Sequence, residues 1–308
     1  MNDITKKLLG KISDFAGSFT GAFSIRENGC SVAMQSDKNV SIKAKKDAPG
    51  LDIVVVPGAK DERISIPACV THGDIDDLVY NDFYIGENAE VTIIAGCGVH
   101  TETGEPARHN GIHSFHLEKG AKVKYIEKHI GTGKGTGIRT IDPVTQVFLA
   151  ENAVLEMETA QIGGVDKSLR KTSAELAAGA RLVVKESILT EGTQSASTDF
   201  DVVLNGENSG VDIISRAVAK DSSHQDYVSV ITGKAPCTGH SECDAIVDGN
   251  ATVDAAPKLC AHHADAQLIH EAAIGKIAGD QILKLRTFGL TEQEAEAKII
   301  EGFLGETI

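Results

Sequence analysis

The sequence GENAEVTII (residues 86–94) is the first copy of a motif that recurs along this chain of 308 residues. Each copy has a Gly or Asn turn, a small residue, a polar residue and then alternating apolar residues, which is the pattern of a turn followed by a strand. The other copies are EKGAKVKYI (118–126), AENAVLEME (150–158), LAAGARLVV (176–184), GENSGVDII (206–214) and DGNATVDAA (248–256). Their small residues, spaced by 32, 32, 27, 29 and 42 positions, are Ala89, Ala121, Ala153, Ala180, Ser209 and Ala251.

This spacing predicts the fold class. A period near 30 residues, built from short strands, is typical of stacked coils, as in a β-solenoid or a propeller. Propeller blades carry aromatic signatures, whereas this chain has 4% aromatic residues and no Trp. We therefore predict an all-β core, a β-helix-like solenoid over residues 22–269, with an ordinary β-sandwich as the alternative. Stacking would align one apolar position of successive coils into a ladder, formed by Val91, Val123, Leu155, Leu182 and Val211.

The two ends of the chain have helical patterns instead. At the N-terminal end (residues 1–21), a short amphipathic helix is predicted from Ile4, Leu8, Leu9 and Ile12. At the C-terminal end (residues 270–308), a first helix should follow the His270-Glu271 pair and stop at Gly289. Its apolar face is predicted to hold Ile277, Gln281, Ile282, Leu285 and Phe288.

A second helix is predicted after that glycine. Thr291 and Glu294 have the spacing of a capping box, which satisfies the free backbone groups at a helix start. The residues expected on its buried face are Ala295, Ile299 and Phe303.

Composition excludes several classes of protein. A net charge of −14 argues against binding to nucleic acid, because contact with phosphates needs clustered Lys and Arg. No apolar run approaches the roughly 20 residues of a membrane span, and the N-terminus lacks the apolar region of a signal peptide. The six cysteines are dispersed without a CxxC pair. We therefore expect free thiols and a cytoplasmic location.

The glycine-rich segment GTGKGTG (131–137) resembles a phosphate loop only superficially. A Walker loop needs a Gly well before the Gly-Lys pair and a Ser or Thr directly after it, and Gly133-Lys134 has neither. We interpret the segment as a flexible, mobile turn between two coils.

Cys97 stands between two glycines and near several imidazoles. These surroundings predict a thiol with a lowered pKa and room for an attacking partner, although a small apolar residue in a β-stack is the alternative. A zinc site here is disfavoured, because the residues of a His-x-x-His pair on a strand point to opposite faces. The imidazoles are those of His100, His109, His113 and His116.

A second group of potential ligands lies further along the chain. Cys243, in SECDAIV, precedes Glu271 by 28 residues (243 to 271), about one coil, so the two can lie on neighbouring coils. His270 is adjacent to Glu271, and a set of thiolate, imidazole and carboxylate suits iron or zinc. Whether Cys260, His262 and His263 belong to this site stays open.

Several of these segments together resemble one family. The pattern HEAAIGKI–DQ–L–LR–GL–EAEAKIIEGF at the C-terminal end, SECDAIV before it, and AGC with IHSFHLEKGAKVKYIEKHIG (112–131) are similar to the SufB/SufD family of the SUF iron–sulfur assembly system. The chain looks like a short form of the common core, without the family's N-terminal helical extension. The segment after Cys97, GVHTETGEP, departs from the usual SufB sequence.

The resemblance implies a right-handed parallel β-helix that acts as a scaffold and is not itself an enzyme. The C-terminal helical segment would dock a SufC-type ABC ATPase, and paired β-helices would hold a nascent iron–sulfur cluster between them. By position, Cys97 matches the SufB cysteine that takes up sulfur from a cysteine desulfurase or its carrier. Cys243 matches the cysteine where the cluster forms, Glu271 an acidic SufB ligand, and His270 the histidine offered by SufD.

Because SufB-like and SufD-like residues occur together, we expect a homodimer, with a SufB/SufD paralogue as the alternative partner. Two other classes remain. The first is a SufD-like structural subunit that docks the ATPase without binding a cluster. The second is a β-helix enzyme such as a polysaccharide lyase, which is disfavoured by the absence of Trp and the presence of only 4 Tyr.

Overall fold

The computed structural model describes residues 1–13, 15 and 17–305 of the chain. It is 58% β-structure, a solenoid of about 8 turns with three short helices near its ends. The helices are α1 (Asp3–Ile12), α2 (Gly279–Thr287) and α3 (Glu292–Leu304). The strands are β1 (Ala22–Glu27), β2 (Cys30–Gln35), β3 (Val40–Ala44), β4 (Gly50–Val55), β5 (Glu62–Val70), β6 (Ile75–Ile85), β7 (Glu90–His100), β8 (Ala107–Leu117), β9 (Lys122–Thr132), β10 (Arg139–Ile141), β11 (Val144–Leu149), β12 (Val154–Ile162), β13 (Lys167–Leu176), β14 (Arg181–Thr190), β15 (Ser195–Leu204), β16 (Gly210–Ala219), β17 (His224–Gly233), β18 (Cys237–Val247), β19 (Thr252–Ala261) and β20 (Ala266–Gly275).

The strands form two long sheets that enclose one core. Sheet A has the order β2-β1-β5-β7-β9-β12-β14-β16-β18-β20, and sheet B has the order β19-β17-β15-β13-β10-β8-β6-β4-β3. The short strands β10 and β11 both lie between β8 and β13, so together they fill one position in sheet B. From β4 onward neighbouring strands within each sheet are parallel, since each coil contributes one position to each sheet.

The predicted apolar ladder is confirmed in sheet A. Val91 pairs with Val123, which pairs with Leu155, and the series continues through Leu182 to Val211. All five side chains belong to the same buried core cluster. The small residues that precede these strands are buried at the corner of each coil.

The last of the six motif copies does not occupy the same position in its coil as the other five, so including it in the series was wrong. Ala251 precedes β19, which belongs to sheet B, whereas the five earlier copies precede strands of sheet A. The position in sheet A that continues the series is Cys237, because Gly210 pairs with Thr238 one residue later. The gap of 42 residues therefore represents about one and a half coils, and similar turns occur at both corners.

The two ends of the solenoid differ. At the start, β1 and β2 form an antiparallel hairpin with an irregular register, and β3 and β4 are also antiparallel. At the other end, β19 and β20 are regular parallel strands of ten residues, and each is the edge of its sheet. Because β20 continues to Gly275, the predicted boundary at 269/270 falls inside this strand, and His270 and Glu271 belong to the last coil.

Helix α1 packs on the outer face of sheet A. Its buried residues include Leu8, Leu9 and Ile12, three of the four predicted for this face, and they contact Cys69. Asn2 caps the helix start by accepting a hydrogen bond from the Thr5 backbone at 2.8 Å.

Helices α2 and α3 follow the last strand. The predicted capping box at Thr291 is present, and Gly289 ends the first helix with a positive φ of 96°. Helix α3 lies against β14 and β16, and the residues that it buries best are Ala295, Ile300 and Leu304, so its buried face is rotated slightly from the prediction. Helix α2 buries none of its residues, and the predicted Phe288 is 75% exposed. Among the described residues, no helix has the length and apolar character to cross a membrane.

Candidate functional site

The structure separates the three predicted ligands of the last coils into two groups. On strand β18 the side chain of Cys243 points inward and is 1% exposed. His270, on the neighbouring β20, lies in an inward, half-buried position, and its Nδ1 donates to the Ser241 carbonyl at 3.0 Å. Glu271 is exposed, because successive residues of a strand point to opposite faces. Cys243 and His270 thus share the interior, whereas Glu271 lies on the outer face.

Burial controls the chemistry of Cys243. Desolvation, with smaller contributions from the negative charges of Glu186 and Asp244, raises the pKa of the Cys243 thiol to about 12. The thiol is therefore protonated at neutral pH, and it can bind a metal only if the metal displaces its proton.

Glu271 lies in a polar group on the outer face of sheet A. It is paired in register with Glu242 on β18, and His240 precedes Glu242 by two residues on the same face. One ligand atom from each of these three side chains lies within 4.8 Å of the others. His240 in turn contacts Asp212 on β16, with Nδ1 and Oδ1 separated by 2.7 Å.

The surroundings expected for Cys97 are wrong in two respects. Its side chain faces the interior and is 5% exposed. Burial, followed by the negative charge of Glu127, raises the pKa of the thiol well above its ordinary value, instead of lowering it. The flanking glycines do not leave room for a partner, because helix α1 occupies that space: a Cβ on Gly96 would lie 2.5 Å from the Ile12 carbonyl oxygen.

Cys97 instead faces an internal cavity of about 180 Å³. Its lining includes His109 and His113, so part of the predicted imidazole group does lie near the thiol. His116 points to the outer face, where it stacks between Tyr84 and Phe148. The expectation that His113 and His116 diverge is confirmed, because they lie on opposite faces of β8.

The GTGKGTG segment is a turn between coils, as predicted, but it is closely packed. Gly133, Gly135 and Gly137 lie directly against the backbone of residues 101–105 in the coil before, where no side chain fits. The glycines therefore allow the backbones of two coils to come close together. The interpretation of the segment as a flexible, mobile turn is wrong.

A row of buried polar side chains, which sequence reasoning missed, joins the two sheets through the interior. The Tyr125 hydroxyl accepts a hydrogen bond from His113 at 2.9 Å and donates one to Glu127 at 2.8 Å. Arg170 of sheet B contacts Glu127 at 2.8 Å and Glu186 at 3.3 Å, both of sheet A.

This row continues toward the last coil. Glu186 accepts hydrogen bonds from Thr198 and Ser215, at 3.2 and 2.9 Å. In sheet A, Ser215 pairs in register with Glu186 on one side and with Cys243 on the other. One inward column of side chains thus leads from the Arg170 ion pairs to the candidate ligand. The sequence did contain a signal for this row. Glu127 and Glu186 are charged residues at positions where the alternation of the strand predicts an inward apolar side chain.

The other potential ligands lie outside this interior. His262 and His263 are exposed in the turn between β19 and β20, and Cys260 is half-buried on β19. All six cysteines are free thiols.

Comparison with known proteins identifies relatives along most of the chain. Residues 81–303 match the family model described as "SUF system FeS cluster assembly, SufBD core domain". An iron–sulfur cluster assembly SufBD family protein of Methanothermobacter thermautotrophicus is 31% identical over 293 residues, which are 90% of this chain and 68% of that protein. A protein of the same description in Archaeoglobus fulgidus is 30% identical over 84% of this chain and 69% of the relative. Another in Methanocaldococcus jannaschii is 28% identical over 89% of this chain and 87% of the relative.

Proposed function

The chain belongs to the SufBD family of iron–sulfur cluster assembly proteins, and we propose that it acts as the scaffold on which the nascent cluster is held. The observation that carries this proposal is the position of Cys243 and His270. Both face the interior of the last two coils, next to the edge of the solenoid, where a partner could complete the ligand set. Glu271, exposed on the edge strand β20, would add a ligand from the outer side.

This ligand set suits temporary binding. Thiolates hold iron–sulfur clusters firmly, whereas carboxylate and imidazole are harder ligands that exchange more readily. A cluster bound by Cys243 together with His270 or Glu271 can therefore be completed and then released. The cluster is cargo in this function, and the chain itself needs no catalytic residue.

We propose that the partner at the edge is a second copy of this chain. Strands β19 and β20 leave backbone donors and acceptors unpaired at the edges of both sheets, which is the usual site of strand addition. Pairing of two such ends would bring two sets of Cys243, His270 and Glu271 together.

The proposed ATPase partner, of the SufC type, would dock on the C-terminal helices. Helix α2 has no buried residue. Its Leu283 side chain is 61% exposed, and the nearby Phe288 side chain is 75% exposed. Helix α3 is fixed to the solenoid through the Ser187 hydroxyl, which donates to the Leu304 carbonyl at 2.7 Å. Movement of a docked ATPase could thus be transmitted to the strands that carry the cluster.

Cys97 is the proposed sulfur acceptor, supplied by a cysteine desulfurase or its carrier in the cytoplasm. Its raised pKa means that a base or a local opening must generate the thiolate before sulfur transfer. The cavity that the thiol shares with His109 and His113 offers space beside it for the transferred sulfur.

Anaerobic reconstitution tests the scaffold function. Purified protein is incubated with ferrous iron and sulfide, and visible absorption, iron content and oligomeric state are measured for wild type, Cys243→Ser and Cys260→Ser. We expect a cluster in wild type and in Cys260→Ser, and its loss in Cys243→Ser with the oligomer intact. Intact oligomers that bind the ATPase but form no cluster in any of these proteins would favour the SufD-like structural subunit instead.

A further inference from the structure

We propose that His240, Glu242 and Glu271 form a separate site for a divalent transition-metal ion on the outer face of sheet A. This site lies on the opposite face of the sheet from Cys243, and Glu271 is the one residue that it shares with the proposed cluster ligands. Its three ligand atoms lie within 4.8 Å of one another. Two ligands at about 2.1 Å from one metal are at most about 4.2 Å apart, so a small rotation of the exposed Glu271 side chain completes the geometry.

The imidazole of His240 is already oriented for metal binding. Its Nδ1 contacts Asp212 Oδ1 at 2.7 Å, which leaves Nε2 as the free ring nitrogen. Ligand histidines in proteins usually donate their other ring N–H to a carboxylate in this way, which fixes the tautomer and the ring orientation. His240 is 31% exposed, so the ring is accessible to an ion from solvent.

The charges around the site are unbalanced without an ion. Glu242 pairs in register with Glu271 on one side and with Ile214 on the other, so two carboxylates face each other with no cation opposite. Within residues 1–13, 15 and 17–305, neither carboxylate forms an ion pair. Directly opposed like charges destabilise a sheet, and a divalent cation would remove this repulsion.

Elsewhere on the outer face of sheet A, cross-strand carboxylates are compensated. Glu90 contacts Lys122 at 3.2 Å, and Glu158 contacts Lys124 at 3.0 Å. The Glu242–Glu271 pair, which lies beside an oriented histidine, lacks the cross-strand lysine that Glu90 and Glu158 each have. Imidazole with two carboxylates suits iron(II), cobalt(II), manganese(II) or zinc(II).

A similar group on sheet B provides a matched control. His224, Asp226 and Asp254 also place three ligand atoms within 4.8 Å of one another. There, however, both ring nitrogens of His224 are engaged, Nδ1 with Thr252 at 2.7 Å and Nε2 with Asp226 at 3.0 Å. An ion would have to break these contacts, so we assign the metal site to sheet A alone.

The test is anaerobic titration of the metal-free full-length protein with cobalt(II), without sulfide, followed by visible spectroscopy and calorimetry. We expect one ion to bind with high affinity in wild type and equally in Cys243→Ser. Glu242→Gln should abolish this binding. Asp212→Asn should weaken it by roughly 10- to 100-fold, and Asp226→Asn should leave it unchanged.

A second measurement keeps the proposal falsifiable if a variant folds poorly. Without metal, Glu242→Gln should be more stable than wild type, because it removes the like-charge contact. Cobalt(II) should raise the stability of wild type but not that of Glu242→Gln. Unchanged binding in Glu242→Gln, or a thiolate signal in the spectrum that disappears in Cys243→Ser, would overturn the proposal. The scaffold function is tested separately, by measuring how much cluster Cys243→Ser forms.

Discussion

The Arg170 guanidinium and the Glu127 carboxylate form a buried ion pair, 2.8 Å from Nη1 to Oε2, that joins the two sheets across the solenoid interior. Burial alone would raise the pKa of Glu127, but the neighbouring His129 and Arg170 hold it well below its ordinary value. The carboxylate is therefore charged inside the core, and its stability depends on the guanidinium.

We expect Arg170→Ala to lower the free energy of unfolding by about 3–5 kcal/mol, because it leaves the buried Glu127 carboxylate without its guanidinium counter-ion. Chemical denaturation measures this loss. The matched control is Lys124→Ala, which removes an exposed pair with Glu158 and should cost no more than about 1 kcal/mol. Equal losses in the two variants would show that the buried pair has no special role.

Replacement of Gly96 by Ala should release helix α1 from the solenoid. The new Cβ would lie 2.5 Å from the Ile12 carbonyl oxygen, which is backbone and cannot move without the helix. Release would uncover Cys69, whose pKa is raised to about 12, mainly by burial. Its rate of alkylation, followed by mass spectrometry, should rise by more than roughly tenfold.

Two comparisons make the Gly96 experiment specific. Gly98→Ala meets only the flexible side chain of Leu8, at 3.0 Å, and should change Cys69 labelling far less. Labelling of Cys243, which lies far from α1, should stay constant in both variants. A parallel rise at Cys243 would indicate general unfolding instead of local release.

His113 should make the protein less stable in mild acid. Burial lowers the pKa of His113 from 6.5 to about 4, so the folded state keeps it neutral while the unfolded chain protonates it. Its contribution to stability is complete above pH 6.5 and is lost as the pH falls from 6.5 to about 4, by about 3 kcal/mol. His113→Gln, compared with wild type by denaturation across this range, should have a smaller pH dependence. Parallel curves would contradict the assignment.

Docking of the proposed SufC-type ATPase should depend on the exposed apolar side chains of the C-terminal helices. Leu283→Glu and Phe288→Glu place a charge on this surface and should abolish co-purification with the co-expressed SufC-type ATPase while the solenoid stays folded. Ile138→Glu introduces the same charge at another exposed apolar position, 55% exposed in a turn before β10. That variant should bind the ATPase normally, and retention by all three variants would place the docking surface elsewhere.

The sequence was sufficient to predict the solenoid because its repeat is local. A turn, a small corner residue and an inward apolar residue recur in each coil, so the pairing of Val91 with Val123 follows from spacing alone. The same locality caused the error at Ala251: its turn has the same composition as the others, and short patterns do not distinguish the two corners of a coil.

The environment of the site residues could not be predicted in this way. Glu127 and Arg170 are 43 residues apart and lie in opposite sheets, so their contact depends on the length of every intervening turn. The glycines beside Cys97 were visible in the sequence, but only tertiary structure shows that they accommodate α1. The separation of His270 from Glu271 follows from strand alternation once β20 is known to extend through both.

The unequal ends of the solenoid also limit the size of any assembly. An irregular antiparallel hairpin at one end is a poor template for a further chain, whereas the opposite end offers two regular edges. If the proposed dimer forms through those edges about a two-fold axis, each copy covers the binding surface of the other. The association would then stop at two molecules, and the repeating architecture would not continue into a fibre.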